Sequence, residues 1–228
     1  VNNAPFVPGH VETGGPAAHW TVPGLQIRKA SVSAEDNNCY LLTEPDGGTH
    51  LIIDAADDAA RVLALVTEAG GGPVSAIVTT HRHADHHRAL AEVAEATGAR
   101  VLAGSADADG LPVGVDGELA NGDTVALGAV DLAVVGLRGH TPGSVALAFR
   151  EPRGDGAGRV HLFTGDSLFP GGVGRTGSPE DFASLLDDVE QRLFDVYDDD
   201  AVVHPGHGDN TTLGAERGQL AQWRERGW

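Results

Sequence analysis

His81-Arg82-His83-Ala84-Asp85-His86, with His87 and Arg88 directly behind it, is the stretch from which the rest of the chain is read. It gathers four of the 11 histidines of a 228-residue chain. Ahead of it, residues 74–78 form a continuous apolar run of strand length; behind it Ala89, Leu90, Val93 and Ala94 make a helical stripe that stops near Gly98. The cluster therefore lies on a strand-to-helix loop. In an extended segment leaving a strand, positions 81 and 83 point to one side, while Asp85 and His86 turn toward a second point beside them. Neutral imidazoles and carboxylates are the donors that zinc and similar divalent ions take, and a loop is free to converge several of them. The competing reading makes Asp85 a cap for the following helix and the histidines a solvated turn. One carboxylate does not readily both cap and ligate, and the whole spacing favours the metal.

Three later turns each put a donor residue just after a strand: Gly139-His140-Thr141-Pro142-Gly143, Thr164-Gly165-Asp166-Ser167 and Pro205-Gly206-His207-Gly208. With the first cluster they supply His81, His83, His86, His140 and His207 together with Asp85 and Asp166. That is more than one tetrahedral ion accepts, so two ions sharing a carboxylate is the natural count.

Around these turns the pattern predicts strands at 25–32, 39–42 and 50–54 as an antiparallel meander, then a helix over 59–69 that stops at Gly70-Gly71-Gly72. Further strands are expected near Val101 and at 124–127, 130–137, 144–149, 160–163 and 201–203. The clearest helix has Ser178 as N-cap, Pro179 in its first turn, and a stripe of Phe182, Leu185, Leu186, Val189 and Leu193. A short amphipathic tail ends in Trp228. Residues 1–20, Gly/Pro-rich and aperiodic, read as a flexible arm, and 21–228 as a single domain. Strands and helices occur in each half, so the fold class is α+β: two β-lobes face to face with helices outside, not a doubly wound parallel sheet.

Composition limits the partners. Apolar residues make up 41% of the chain and charged residues 21%, which excludes disorder as its main description. The formal charge of −18 repels phosphate backbones and anionic lipid heads, so neither nucleic acid nor a membrane is expected. A lone cysteine, Cys39, read as a small core residue, leaves no intrachain disulfide. With no apolar run of bilayer length and no basic-then-apolar leader, the expectation is a cytoplasmic chain, monomer or homodimer. No serine-nucleophile elbow or Walker motif occurs, and the G-x-G-x-x-G at 172–177 stands too far from a strand to be a dinucleotide fingerprint. It reads as a glycine loop folded over the metal site. His87 is expected to be solvated, and His204 to be a turn or supporting residue rather than a ligand.

Together these motifs resemble the ligand set of the metallo-β-lactamase superfamily, and in particular its glyoxalase II-like branch of small hydrolases, across about residues 25–215. The resemblance implies a four-layer αββα sandwich of two mixed β-sheets flanked by helices, with the ligands on loops along one edge. It implies that His81, His83 and His140 hold one ion, that Asp85, His86 and His207 hold the other, and that Asp166 bridges them. The implied cofactors are two divalent ions, zinc first, with iron or manganese as the other choices. A water shared by two such ions loses a proton near neutral pH and attacks, while one ion polarises the substrate carbonyl. The implied reaction is hydrolysis of the thioester of a small acyl-thiol conjugate, Asp85 orienting the nucleophile and handling a proton. Arg175 matches a basic position that contacts the peptide part of the thiol carrier, which assigns it to a substrate carboxylate.

True β-lactamases of this fold lack the bridging aspartate. Longer glyoxalase II enzymes carry a C-terminal helical domain for glutathione contacts; about twenty residues follow His207 here, so another low-molecular-weight thiol is the expected carrier. Persulfide dioxygenases are also similar, using one iron on the equivalents of His81, His140 and Asp166 and consuming oxygen. Val173, where they carry Cys, and the turn at 205–208 favour hydrolysis. A lactone or other ester hydrolase of the same fold, and a metal-binding role without catalysis, are the remaining alternatives.

Overall fold

In the computed structural model, which describes residues 9–152 and 158–227, most strands bury side chains on both faces. β1 (Ala18–Val22), β2 (Leu25–Ser31), β3 (Asn38–Thr43) and β4 (His50–Ile53) run antiparallel in sequence order. α1 (Ala59–Glu68) crosses over to β5 (Val74–Thr79), parallel to β4, and α2 (Leu90–Thr97) crosses over to β6 (Arg100–Gly104), parallel to β5. β7 (Gly117–Leu119) completes this seven-stranded sheet. In the second sheet β8 (Thr124–Leu127), β9 (Val130–Gly136), β10 (Val145–Arg150) and β11 (Val160–Gly165) are antiparallel neighbours. α3 (Pro179–Val189) then leads to β12 (Val202–Pro205), parallel to β11 and bordered by the two-residue β13 (Thr211–Thr212). α4 (Leu213–Arg217) and α5 (Leu220–Arg226) follow.

A strand sends successive side chains to opposite faces, and the burial follows that period. Leu51, Ile53, Ala76 and Val78 belong to the core between the sheets, with Leu132, Val134, Leu147 and Phe163 from the other side. Ile52 and Ile77, one position out of phase, pack instead with Val62 and Leu65 of α1 and Leu90 and Val93 of α2. On the far face Ala146, Leu162 and Val203 pack with Leu185, Leu186 and Val189 of α3 and Trp223 of α5. These three cores between four layers make the expected αββα sandwich. Each fully buried Leu or Ile contributes about 1.5–3 kcal/mol to holding them together.

Ser178 caps α3 as expected, its Oγ accepting from the Asp181 amide at 3.1 Å. The apolar stripe continues, but through a π-type turn over Glu190–Phe194 that carries Leu193. The flexible arm expected over residues 1–20 needs correcting at its end. Residues 1–8 lie outside the described residues. Val11 and Trp20 are buried, Thr13 Oγ1 bonds Ser31 Oγ and the Ser33 carbonyl, and residues 18–22 pair with β2. Ala18, Trp20 and Val22 alternate toward the core, a period that the surrounding Gly/Pro-rich composition masks. No helix among the described residues is long and apolar enough to cross a membrane.

The topology fixes where chemistry can sit. Parallel neighbours end at the same edge of a sheet, and the chain that follows them collects there. β4 leads into Asp54, β5 into His81, β11 into Asp166 and β12 into His207, while the turn between β9 and β10 carries His140.

Candidate metal centre

All seven donor residues expected from the sequence meet at this edge. His81, His83 and His140 form one group whose ligand atoms lie within 4.8 Å of one another; Asp85, His86 and His207 form another; His81, His86 and Asp166 form a third that overlaps both. His140 Nε2 stands 2.8 Å from His83 Nδ1 and 3.2 Å from His81 Nε2. His86 Nε2 stands 3.1 Å from His207 Nε2, and Asp85 Oδ2 is 3.4 and 3.3 Å from those two nitrogens. Asp166 lies between the groups: its Oδ1 is 3.3 Å from His86 Nε2, and its Oδ2 is 3.6 Å from His140 Nε2 and 3.5 Å from His207 Nε2.

The outward nitrogens decide what the inward ones are. His140 Nδ1 donates to the Arg175 carbonyl at 2.7 Å, His207 Nδ1 to the Glu35 carbonyl at 2.8 Å, and His86 Nδ1 to Asp54 Oδ2 at 2.9 Å. Thr80 Oγ1 gives its own proton to Asp54 Oδ2, so at 3.1 Å it accepts from His81 Nδ1. A neutral imidazole has one N–H, so in these four rings Nε2 is a bare lone pair turned inward. Lone pairs 3.1–3.2 Å apart repel unless something positive lies between them. Asp166 Oδ1 adds to this: it is buried and receives no hydrogen bond. Such a donor set, nitrogen-rich and held from behind by carbonyls and a carboxylate, fits divalent ions.

Protonation is the alternative way to satisfy the same lone pairs. Burial opposes a charge on His86, but the adjacent Asp166 and Asp54 carboxylates outweigh it and carry its pKa to about 10. Burial likewise opposes a charge on His207, which the Asp166 carboxylate overrides to raise its pKa. For His81 and His140 burial wins and both are lowered. Burial would raise Asp166, yet the neighbouring His207 and His86 rings hold it well below the usual carboxylate range. Asp85 is also lowered against its burial, by the bond from Asn37 and the field of His86. Both carboxylates are therefore ionised and available to a cation.

Several residues that support the site have no signal in the sequence. Asn37 Nδ2 donates to Asp85 Oδ2 at 3.0 Å and lies 3.2 Å from His207 Nε2. Asp54 anchors His86 and Thr80. Asp107, fully buried, accepts from the Arg82 amide at 3.1 Å, the Gly143 amide at 3.0 Å and the Thr141 hydroxyl, tying the loops of His81 and His140 together. The glycine loop does fold over the site: a Cβ on Gly174 would overlap the Asp166 carbonyl and stand 3.0 Å from His140 Nδ1. Arg175 is exposed, next to that contact, its carbonyl held by His140. His87, expected to be solvated, is buried, with Nε2 donating to the Arg82 carbonyl at 3.1 Å. His204 is buried on β12 as a supporting residue, and Cys39 is fully buried on β3.

Known proteins resemble this chain in sequence and in fold. The family model described as the Metallo-beta-lactamase superfamily matches residues 32–207. A hydroxyacylglutathione hydrolase from Fuscovulum blasticum is 40% identical over 154 residues, a match covering 66% of this chain and 56% of that protein. The chain thus spans little more than half the length of that relative. Among solved structures, ETHE1 from Myxococcus xanthus aligns with a TM-score of 0.71 at 26% identity, covering 87% of this chain and 84% of that one. TTHA1623, solved in a di-iron-bound form, aligns with a TM-score of 0.65 at 32% identity, covering 83% of this chain and 96% of that one.

Proposed function

The chain belongs to the metallo-beta-lactamase superfamily, and from that premise we propose that it is a metal-dependent hydrolase cleaving the thioester of a small acyl-thiol conjugate. The observation that carries this reading is the position of Asp166, an ionised carboxylate with one buried, undonated oxygen set between two separate groups of inward-facing donors. His81, His83 and His140 would hold one divalent ion, Asp85, His86 and His207 a second, with Asp166 shared between them. Zinc suits the imidazole-rich set best, and iron and manganese share its chemistry closely enough to compete. Such a pair supplies, when bound, an acidified water and a Lewis acid for the substrate carbonyl.

The chain's own residues do the rest. Asp85, held ionised by the Asn37 bond, is a proton acceptor at the edge of the site and can return that proton to the departing thiolate. Arg175, exposed and next in the chain to Gly174, would receive a carboxylate on the carrier. The buried loop around Gly174 closes the site behind His140. The hydroxyacylglutathione hydrolase relative and the di-iron-bound form of TTHA1623 support the reaction class and the ion count.

The rival reading is one iron on His81, His140 and Asp166 with oxygen chemistry. It leaves His83, Asp85, His86 and His207 without a role, although their ligand atoms converge in the same groups. Metal analysis of the purified protein, together with assays for S-lactoyl-thiol hydrolysis and for oxygen uptake with a persulfide, separates the two. Two ions per chain with chelator-sensitive thioester cleavage is the expected outcome. One iron per chain with oxygen uptake would replace this reading by the rival.

A further inference from the structure

The turn that presents His207 is gripped from the opposite sheet, and part of the grip is a buried cation. Lys29 on β2 has no exposed surface, and its Nζ donates to the Gly208 carbonyl at 2.5 Å and to Asn210 Oδ1 at 3.0 Å. Asn38 Nδ2 donates to the carbonyls of Pro205 and Gly208, both at 3.0 Å, and the Tyr40 hydroxyl to that of Pro205 at 2.7 Å. Burial lowers the Lys29 pKa to about 8 against the pull of Asp209 and Asp36, so it remains an ammonium at neutral pH. Burying a charge is costly, and a methionine in the same slot would avoid that cost. Its bonds go to neutral oxygens, so something has to hold those acceptors in place.

A hydrogen-bond chain behind Asn210 does so. With Oδ1 taken by the ammonium, Asn210 turns Nδ2 to His204 Nδ1 at 2.6 Å. His204 then carries its proton on Nε2 and donates to His161 Nδ1 at 3.1 Å, and His161 Nε2 donates to Glu151 Oε1 at 3.1 Å. An ammonium can only donate and a carboxylate only accept, so the two ends force one direction on every bond between them. Burial keeps both imidazoles neutral by lowering their pKa. Phe163 and Trp20 stack on the His204 ring at 4.7 and 5.7 Å and hold its plane. All five members of the chain are buried.

We propose that Lys29 is a positioning residue for His207: the chain anchored on Glu151 orients Asn210, and Lys29, fixed by Asn210, holds the Gly208 carbonyl and with it the turn carrying the ligand. The inference rests on His207 being a ligand. The test strips metal from the wild type, Lys29→Met and His207→Ala and titrates each with zinc ions against a chromophoric chelator. Expected are two ions for the wild type, one for His207→Ala, and two for Lys29→Met with one bound about tenfold or more weakly and the other unchanged. Wild-type affinity at both sites of Lys29→Met, or an equal loss at both, overturns the role of Lys29 while His207→Ala still reports the ligand. Two full-affinity ions in His207→Ala overturn the ligand assignment instead. Nitrogen-15 spectra of histidine-labelled wild type give a second readout that does not need the variant to fold. Protons on Nε2 of both His161 and His204 agree with the chain, and a proton on Nδ1 of His204 overturns it.

Discussion

Asp54 makes no contact with substrate in the proposed reading, yet it sets the chemistry of His86 by accepting a hydrogen bond from Nδ1, so that Nε2 is the nitrogen turned to an ion. Asp54→Asn should weaken the ion on His86 by about 10–100-fold, read by zinc titration, with the ion on His81, His83 and His140 less affected. The pKa of about 10 for His86 has a signed consequence for metal uptake. Raised above its ordinary 6.5, His86 is protonated in the metal-free protein at neutral pH. Its contribution to metal-free stability is full below 6.5 and is lost as pH rises through about 10. An ion must displace that proton, so zinc affinity should rise with pH across the neutral range and uptake should release protons into a weakly buffered solution. An affinity flat between pH 6.5 and 8.5 would show that His86 binds no proton to displace. For Asp85→Asn the expectation is both ions retained and turnover down by about 10²–10⁴-fold. At this scale the donors were legible because each sits in the 81–86 cluster or on a turn just after a strand. Asn37, Asp54, Asp107 and Lys29 were not, because each meets its partner across the fold, and no spacing in the chain encodes those meetings.

Elements place the donors, and two of the placements depend on the absence of a side chain. A Cβ on Gly206 would overlap Asp166 Oδ1 and stand 2.6 Å from His86 Cε1. Gly139 has φ +134°, and a Cβ there would overlap the Asp181 carbonyl of α3. Gly206→Ala should therefore leave a folded protein that loses one or both ions, counted by elemental analysis beside far-ultraviolet circular dichroism. The N-cap of α3 is separable from this: Ser178→Ala should cost about 1 kcal/mol in urea unfolding and leave the ion count at the wild-type value. Elements with a full period were readable, such as α1 with its glycine stop and β5 with its unbroken apolar run. β7 and β13, three and two residues long, were not, since such lengths show no alternation and exist only through pairing with β6 and β12. β1 was missed for another reason, its alternation of Ala18, Trp20 and Val22 following directly on a Gly/Pro-rich stretch. The π-type turn after α3 was hidden because it preserves the apolar stripe while changing the backbone bonds beneath it.

For the whole molecule, the proposed ligands make the metal centre a fastener between two halves. His81, His83, Asp85 and His86 follow β5 of the first sheet; His140, Asp166 and His207 follow strands of the second. Hydrogen bonds already cross there, from Lys29, Asn38 and Tyr40 to the turn at 205–210, from the His207 ring to the Glu35 carbonyl and from the turn at 141–143 to Asp107, and bound ions would add to them. Without ions, two carboxylates and five imidazoles face one another in a chain whose formal charge is already −18. Ions that bind only the folded state stabilise it by mass action, about 4 kcal/mol for each site at a thousandfold excess over its Kd. In a domain of this size 1 kcal/mol moves the midpoint by about 2–4 °C, so filling one site should raise Tm by roughly 8–16 °C. Chelation followed by dialysis should lower the midpoint by at least that much, and zinc should restore it in two steps if the sites fill unequally. His207→Ala should keep the step of the His81, His83 and His140 site and lose the other. A midpoint indifferent to chelation would mean that packing and these hydrogen bonds suffice to join the sheets, and that the ions, where bound, serve the reaction without holding the fold.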